Sequence, residues 1–225
     1  MLIEIPDVLS TGEVERIRDT LAGMCFVDGR ASAGSQASAV KRNEELPPSN
    51  EMMELAKVVY QGLGRNETFN HFALPRKMMA PIFSRYKDGM NYGSHSDVAV
   101  MQIGSPERAT RTDLSLTVFL SDPESYDGGA LVISSHVGEQ SFKLAPGSAV
   151  VYPSHNLHWV DTVTRGERLA AVSWVQSYIR QDVHREILFE LDDISVQIAE
   201  RDQDDDSTLV LFNLYHKLMR LWAEV

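Results

Sequence analysis

The sequence contains a single cysteine, Cys25, among 225 residues. One thiol cannot form an internal disulfide, so the fold must be held by its core, and a reducing compartment is the natural location. Long hydrophobic runs are also missing. No window approaches about 18 uninterrupted apolar residues, and the N-terminus has no basic region followed by a long apolar run. We therefore expect a cytoplasmic protein without a membrane partner.

Basic residues are in the minority. The chain has 21 Lys and Arg against 32 Asp and Glu, which gives a formal net charge of -11, and the basic residues are dispersed. A surface that follows nucleic-acid phosphates needs clustered positive charge, so no nucleic-acid partner is expected. Hydrophobic residues make up 43% of the chain, which is enough to fill the core of one large domain.

The first third of the chain carries mainly helical signals. Residues 27–49 are rich in Gly, Ser, Ala and Asn, and they predict loop and short strands that wrap the body. A strand is expected at residues 1–5, followed by a helix that the capping box of Ser10 and Glu13 opens. A second helix should begin at Ser49 and stop at Gly64, and its buried residues would be Met53, Leu55, Val58, Val59 and Leu63. A short third helix is expected over residues 67–73.

From Pro75 onward, short runs rich in β-branched and aromatic residues alternate with turn clusters, which is typical of strands. Eight strands after a helical start predict a mainly β protein with flanking helices, built as a cupin-like jelly roll. The expected strands are residues 81–86, 93–100, 113–120, 130–134, 141–144, 149–152, 158–163 and 168–178.

After Arg180 the pattern returns to helix. One helix is expected over residues 181–200 and another over 207–224, with the acidic run Asp202 to Asp206 between them. The second helix would carry a broad apolar face. This tail either packs on the barrel, which we favour, or forms a homodimer contact. The predicted organisation is thus a domain over 1–178, with its β-core at about 75–178, and a C-terminal helical extension over 179–225. The apolar face would consist of Leu209, Phe212, Leu218, Leu221 and Trp222.

His95 and Asp97 are the first candidate functional residues. On a strand, alternate side chains leave the same face, so an imidazole and a carboxylate two positions apart could bind one metal ion. The ordinary alternative is a structural histidine beside a polar or capping aspartate.

A third ligand must come from elsewhere, and His155 and His158 compete for that role. Each has an arginine ten residues later. Gly166 suits a three-residue hairpin loop, which would pair the strand of His158 with the strand of Arg168 and put both side chains on one face. His155 would lie in the turn that precedes this hairpin. We therefore expect His158 to be the ligand.

Two histidines and one carboxylate with open positions form the ligand set of non-haem Fe(II) oxygenases. Such an enzyme needs two further electrons to reduce O2, and 2-oxoglutarate supplies them on decarboxylation. The distal carboxylate of 2-oxoglutarate must be held. Arg168 would suit that task, because its planar guanidinium presents paired donors and stays charged. The alternative for Arg168 is a strand-edge arginine paired with Glu167 or Asp161.

Several motifs of the chain together resemble a known family. These are Tyr86-x-x-Gly-x-x-Tyr-x-x-His95-x-Asp97, Asp127-Gly-Gly-Ala-Leu, Pro146-x-x-Ala-x-x-Tyr152, His158-x-Val, Gly166-x-Arg168 and Trp174. They are similar to the prolyl 4-hydroxylase-like branch of the Fe(II)/2-oxoglutarate-dependent dioxygenases. Flanking stretches, among them Leu188-Phe-Glu-Leu-Asp192 and Asn213-Leu-Tyr-His216, resemble the bacterial PKHD-type hydroxylases nearly from end to end.

The resemblance implies a double-stranded β-helix with His95, Asp97 and His158 as catalytic metal ligands and Arg168 on 2-oxoglutarate. It also suggests a tyrosine on the cofactor, either Tyr86 or Tyr92, and L-ascorbate as a reductant. A second donor to the distal carboxylate would be Ser115 or Thr117, and the sequence does not choose between them.

The expected function is therefore hydroxylation of an unidentified peptide or small molecule, coupled to oxidative decarboxylation of 2-oxoglutarate to succinate. One alternative is a non-catalytic cupin-like module that binds a metal or a small molecule. Another is a metal-dependent enzyme that does not use the oxo-acid. Residues 98–112 leave the metal strand and could form a lid. Arg108 and Arg111 would then meet an acidic substrate, or more simply be solvated loop charges.

Overall fold

A computed structural model describes residues 1–101, 109–201 and 206–225. Within these ranges, no helix is long and apolar enough to cross a membrane. The helices are α1 (Thr11–Ala22), α2 (Ser35–Val40), α3 (Asn50–Arg65), α4 (Glu67–Ala73), α5 (Asp182–Arg201) and α6 (Asp206–Trp222). The strands are β1 (Ile3–Ile5), β2 (Val27–Asp28), β3 (Lys41–Arg42), β4 (Glu44–Glu45), β5 (Pro75–Met78), β6 (Ile82–Tyr86), β7 (Asn91–His95), β8 (Val100–Met101), β9 (Thr110–Arg111), β10 (Leu114–Phe119), β11 (Asp127–Gly128), β12 (Leu131–Ser135), β13 (Gly138–Phe142), β14 (Ala149–Pro153), β15 (His158–Val160), β16 (Val163–Arg165) and β17 (Arg168–Ser177).

Two antiparallel sheets form the body. The larger has the strand order β1-β14-β10-β17-β6-β4-β2, with β5 also paired to β17, and the smaller has the order β13-β12-β15-β7-β3. Residues from both sheets line one cavity, so the sheets face each other across it. The prediction of a mainly β jelly roll with flanking helices is confirmed.

The larger sheet is buried on both faces. On β10, Leu114, Leu116 and Val118 belong to a core shared with α1, α3 and α4, which pack on the outside of the sheet. The alternate residue Phe119 belongs to a second core that lies towards the smaller sheet. Because successive side chains of a strand point to opposite faces, this strand serves both cores and is buried throughout.

The helical preface follows its sequence signals closely. The Ser10 side chain and the Glu13 backbone and side chain form the predicted capping box of α1, and α4 has its expected bounds. The helix from Ser49 does not stop at Gly64, because Asn66 ends α3 and caps α4. Met53 is 45% exposed rather than buried, since it lies off the face that carries the buried residues. The expectation of loop and short strands over 27–49 agrees with β2, β3 and β4 but missed α2.

The predicted hairpin between the strands of His158 and Arg168 is wrong. The expected strand 158–163 is divided into β15 and β16, and β16 pairs with β11, whereas β17 pairs with β10, β6 and β5. Gly166 does form a turn, with φ 76°. A Cβ there would lie 2.3 Å from the Ser125 carbonyl oxygen, so the turn packs closely against the 3-10 turn Pro123–Ser125. The turn leads from β16, which pairs with β11, into β17 of the larger sheet.

The C-terminal helices pack on the helical side of the body. The Phe189 ring on α5 meets the Phe72 ring on α4 edge to face, with ring centroids 5.4 Å apart. The end of α6 returns to the start of α5, where Ile179 and Ala223 form a bridge. The predicted apolar face of α6 remains largely uncovered, because Leu209, Phe212 and Leu221 are exposed while Leu218 and Trp222 are half-buried. Residues 202–205 of the predicted acidic interruption lie outside the described residues.

Two glycines of α3 provide a matched test of this packing. A Cβ on Gly62 would lie 2.6 Å from the Val8 carbonyl oxygen and from the Leu9 side chain, whereas a Cβ on Gly64 meets nothing within 4 Å. We expect Gly62→Ala to destabilise the fold by about 1–3 kcal/mol through overpacking. Gly64→Ala should stabilise it by about 0.5–1 kcal/mol, because alanine favours a helix. Urea denaturation of both variants measures the difference, and equal effects would contradict the close approach of α3 to residues 8–9.

Candidate metal centre

The pairing of β7 with β15 brings the two histidines together. His95 is the last residue of β7, and it is the direct cross-strand partner of His158, the first residue of β15. The two imidazole centroids are 4.3 Å apart. The predicted strand 93–100 ends at His95, so Asp97 lies just beyond the strand. Its backbone N–H donates to the Ser154 carbonyl oxygen at 3.2 Å, and this bond fixes the chain as it leaves β7.

His95, Asp97 and His158 each offer a ligand atom, and these atoms lie within 4.8 Å of one another. The Nε2 atom of His158 is 3.8 Å from the Oδ2 atom of Asp97. Each histidine contacts a backbone carbonyl through Nδ1, His95 with Gly93 at 2.9 Å and His158 with Asn156 at 3.0 Å. A carbonyl only accepts, so Nδ1 carries the proton and Nε2 is free to bind a metal.

The environment keeps this cluster suited to a cation. Burial, with the neighbouring His158 imidazole, lowers the pKa of His95 to about 4, so its ring is neutral near pH 7. The Tyr92 ring stacks on the His95 ring, with centroids 3.7 Å apart, and the Tyr152 ring meets the His158 ring edge to face at 5.1 Å. Both ligand rings are therefore packed in place, with one carboxylate beside them.

The hydroxyl of Ser115 fixes the carboxylate. Its Oγ donates to the Oδ2 atom of Asp97 at 2.5 Å, and it also hydrogen-bonds with the Ser154 hydroxyl at 2.8 Å. Ser115 lies on β10 of the larger sheet, so the bond joins the two sheets at the site. Of the two residues expected to help bind a distal carboxylate, Ser115 is thus engaged with Asp97, while Thr117 lines the cavity.

The cluster opens into a cavity of about 290 Å³, and Arg168 lies in the cavity wall. Arg168 is 1% exposed, and its Nε and Nη2 atoms have no hydrogen-bond partner. Among the described residues, no carboxylate pairs with it, so the alternative pairing with Glu167 or Asp161 is wrong. The Tyr86 and Phe119 rings flank the guanidinium at 5.1 Å and 5.6 Å. A buried, unpaired cation is costly, and a ligand carboxylate would satisfy it.

Of the other predicted residues, the two tyrosines lie in the site, and His155 and Arg111 do not. Tyr86 and Tyr92 both line the cavity, and burial raises the pKa of Tyr86 to about 12. His155 lies outside the cluster, because its side chain is 70% exposed and faces Asp182 at 3.5 Å. Arg111 is no free loop charge, since it donates to Asp113 and Glu224.

Both described ends of the suggested lid lie near the cavity or pair with each other. Val98 and Met101 line the cavity, and β8 pairs with β9, but residues 102–108, including Arg108, lie outside the described residues.

Sequence reasoning missed two features. The Tyr126 hydroxyl is buried and has no hydrogen-bond partner of full geometry. Burial raises the pKa of Tyr126, and the nearby Arg168 guanidinium opposes part of that rise. Lys41, Asn43 and Glu45 reach the cavity from a segment that was expected to form loop and short strands, and for which no functional residue was predicted. A buried turn tyrosine and polar residues in a Gly- and Ser-rich stretch give no periodic signal, so the sequence offered nothing to identify them.

Comparisons with known proteins now define the class of this site. A profile of the 2OG-Fe(II) oxygenase superfamily matches residues 81–176, and a profile of the PKHD-type hydroxylase C-terminal domain matches residues 182–224. Among solved structures, a prolyl-4-hydroxylase from Pseudomonas putida has a TM-score of 0.52 at 17% identity, over 78% of this chain and 92% of that one. HygX from Streptomyces hygroscopicus, solved with nickel and 2-oxoglutarate, has a TM-score of 0.53 at 14% identity, over 79% and 84%. These likenesses concern the fold.

Curated relatives are similar over the whole chain. A PKHD-type hydroxylase of Gluconacetobacter diazotrophicus is 45% identical over 99% of both chains. One of Paracoccus denitrificans is 44% identical over the full length of both. The chain therefore belongs to the PKHD-type hydroxylases of the 2OG-Fe(II) oxygenase superfamily, and it is an Fe(II)- and 2-oxoglutarate-dependent hydroxylase whose substrate is unidentified.

The bond from Ser115 to Asp97 can be tested by metal binding. We expect Ser115→Ala to weaken Fe(II) binding by about 10- to 100-fold, because the carboxylate loses the donor that orients it. Anaerobic isothermal titration calorimetry measures the affinity for Fe(II). Ser173→Ala is the matched control, since Ser173 is also fully buried but bonds to the Met79 carbonyl at 2.6 Å. It should lower the melting temperature and leave the Fe(II) affinity unchanged. Wild-type affinity in Ser115→Ala would contradict the role of Ser115.

Proposed function

We propose that His95, Asp97 and His158 bind Fe(II), and that Arg168 binds the distal carboxylate of 2-oxoglutarate in the same cavity. The observation that carries this proposal is the buried guanidinium of Arg168, whose Nε and Nη2 atoms have no hydrogen-bond partner and which lines one cavity with the three-residue cluster. The donor set fits Fe(II), because two imidazoles and one carboxylate leave positions open for a co-substrate. The guanidinium fits a carboxylate, because its planar donors match the two oxygens.

When bound, Fe(II) and 2-oxoglutarate would together reduce O2, and the oxo-acid would be oxidatively decarboxylated to succinate and CO2. The protein residues would orient the reactants and exclude water. Asp97 offsets part of the metal charge, and Ser115 holds its carboxylate at a fixed angle. Tyr86 borders the guanidinium, where it would contact 2-oxoglutarate. Apolar side chains of both sheets, including Leu131 and Val172, close the remaining wall.

L-ascorbate would act as a reductant that returns oxidised iron to Fe(II). The cytoplasm is proposed as the location because one cysteine suits a reducing compartment, which also helps to keep iron ferrous. Nucleic acid and membrane are not proposed as partners. The boundary between a domain over 1–178 and an extension over 179–225 also remains a prediction.

The role of Arg168 is testable without turnover. Anaerobic addition of Fe(II) and 2-oxoglutarate should produce a weak visible charge-transfer band. We expect Arg168→Gln to raise the Kd of 2-oxoglutarate at least 30-fold, equivalent to about 2 kcal/mol or more, because one partner of a buried charge pair is lost. Fe(II) binding, which does not use this residue, should persist.

Arg165→Gln is the control for this measurement. Arg165 lies three residues earlier, is exposed, and donates to Asp127 rather than into the cavity. It should bind 2-oxoglutarate like the wild type. Unchanged 2-oxoglutarate affinity in Arg168→Gln would contradict the role of Arg168, and unchanged activity would favour a metal enzyme that does not use the oxo-acid. Absence of the band in the wild type would favour the binding module.

We also propose that the C-terminal helices form a homodimer contact. Leu209, Phe212 and Leu221 on α6 are 71%, 58% and 73% exposed, and exposed apolar patches of this kind mark interaction surfaces. Leu209 and Phe212 are three positions apart, so they share one face of the helix.

Light scattering after size-exclusion chromatography tests this contact. The wild type should be a dimer, and the double variant Leu209→Asn with Phe212→Asn should be a monomer with an unchanged circular dichroism spectrum. Val137→Asn is the control, because Val137 is 72% exposed in the turn between β12 and β13. A monomeric wild type at tens of micromolar would contradict the proposal.

A further inference from the structure

One wall of the metal cavity carries three buried polar side chains that the proposed chemistry does not use. Lys41, Asn43 and Glu45 line the cavity and are 6%, 4% and 7% exposed. They belong to β3, to β4 and to the residue between these strands. This segment precedes residues 81–176, which the superfamily profile matches, so it is not part of the shared metal-binding core.

Lys41 and Glu45 neutralise each other. The Nζ atom of Lys41 donates to the Oε1 atom of Glu45 at 2.5 Å and to the Ser32 hydroxyl at 2.8 Å. The same ammonium lies 5.1 Å from the centre of the Tyr92 ring. The pair therefore needs no counter-ion from a ligand, and it gives this wall one fixed charge of each sign.

Asn43 is different, because its side-chain amide has unused hydrogen-bonding capacity. Both Nδ2 and Oδ1 are buried and have no hydrogen-bond partner of full geometry. The amide lies near the Tyr86 hydroxyl, where it acts to lower the pKa of Tyr86 against the larger effect of burial. The space for this amide is provided by Gly29, where a Cβ would lie 2.1 Å from Oδ1. Buried side-chain amides almost always have partners, and one that lines a cavity without them is suited to a ligand that supplies them.

The position of Asn43 separates it from the 2-oxoglutarate site. In the ladder of β4 with β6, Glu44 pairs with Arg85, which places Asn43 level with Tyr86, and Tyr86 pairs with Arg168. Asn43 is therefore two strands away from Arg168, at a backbone distance of about 10 Å. Tyr86 therefore lies between this amide and the guanidinium, and the amide is available to the second molecule that a hydroxylase must bind.

Resting on the proposed function, we propose that Asn43, beside the Lys41–Glu45 pair, binds the substrate to be hydroxylated through a neutral amide group of that substrate. A carboxamide offers one acceptor and two donors, and its complement is a group that both accepts and donates. The Lys41–Glu45 pair is already neutralised and offers no net charge to a ligand, so a carboxylate or an ammonium buried here would lack a counter-ion, whereas a neutral amide needs none. The substrate class is thus an amide-bearing molecule rather than a free acid or amine.

Three probes with the same four-carbon skeleton test the class. Isobutyramide, isobutyrate and isobutylammonium are added to protein loaded with Zn(II), an inert stand-in for Fe(II), and 2-oxoglutarate, and binding is measured by saturation-transfer NMR. Isobutyramide should bind about tenfold more tightly than either charged probe. Asn43→Leu should abolish this preference, and Asn43→Asp should transfer it to isobutylammonium.

Gln36→Leu is the matched control, because Gln36 also lines the cavity and loses the same carboxamide, but it is exposed. It should leave the preference for isobutyramide unchanged. Asn43→Leu should melt no lower than the wild type, because it removes buried polar atoms that have no partner. A clearly lower melting temperature would mean that Asn43 is structural, and it would overturn the proposal.

Equal binding of the three probes, or an unchanged preference in Asn43→Leu, would also overturn it. These outcomes are separable from failure of the proposed function. If the wild type bound no 2-oxoglutarate, the proposed co-substrate would be wrong, while the preference among the probes would still be measured on protein loaded with Zn(II) alone.

Discussion

The site depends on the register between β7 and β15. Directly opposed residues of an antiparallel pair have Cα atoms about 4.5–5.5 Å apart, so the pairing of His95 with His158 sets two imidazoles side by side. β15 is itself held on its other edge by β12, where His158 pairs with Ile133. A slip of one residue would turn His158 to the other face of the sheet and remove a ligand.

The larger sheet contributes the remaining polar residues of the site. Ser115 on β10 reaches across to Asp97, and Arg168 on β17 faces the same cavity. Both strands are buried on both faces, because helices α1, α3 and α4 cover the outer side. That apolar packing offsets the cost of leaving an unpaired guanidinium and an unpaired amide inside the fold. The polar groups without partners are concentrated where ligands are expected, which is the usual place for a protein to depart from full hydrogen bonding.

The sequence predicted elements well where a local signal decides them. The capping box of Ser10 is contained within a few residues and is formed as predicted, and the His95-x-Asp97 motif places its two side chains in one cluster. The hairpin between His158 and Arg168 failed, because pairing partners are chosen by the whole sheet. The turn at Gly166 is real, but it joins two sheets rather than two paired strands. His158 was chosen over His155 by reasoning that included this hairpin, and the structure places His158 in the cluster through β7 instead.

The polar wall around Asn43 could not have been predicted. Its residues come from very short strands in a stretch without periodicity, and their burial depends on contacts with β6 and β7 that no local pattern encodes. The uncovered face of α6 shows the reverse case. Its apolar periodicity was visible, but periodicity shows which residues share a face and not what covers that face.

Anomalous diffraction at the iron edge tests the central claim most directly. Crystals grown anaerobically with Fe(II) and 2-oxoglutarate should show one iron atom bound by the Nε2 atoms of His95 and His158 and by an Asp97 oxygen. The 2-oxoglutarate should chelate the iron, with its distal carboxylate on the guanidinium of Arg168. Iron bound elsewhere, or a distal carboxylate that avoids Arg168, would contradict the account.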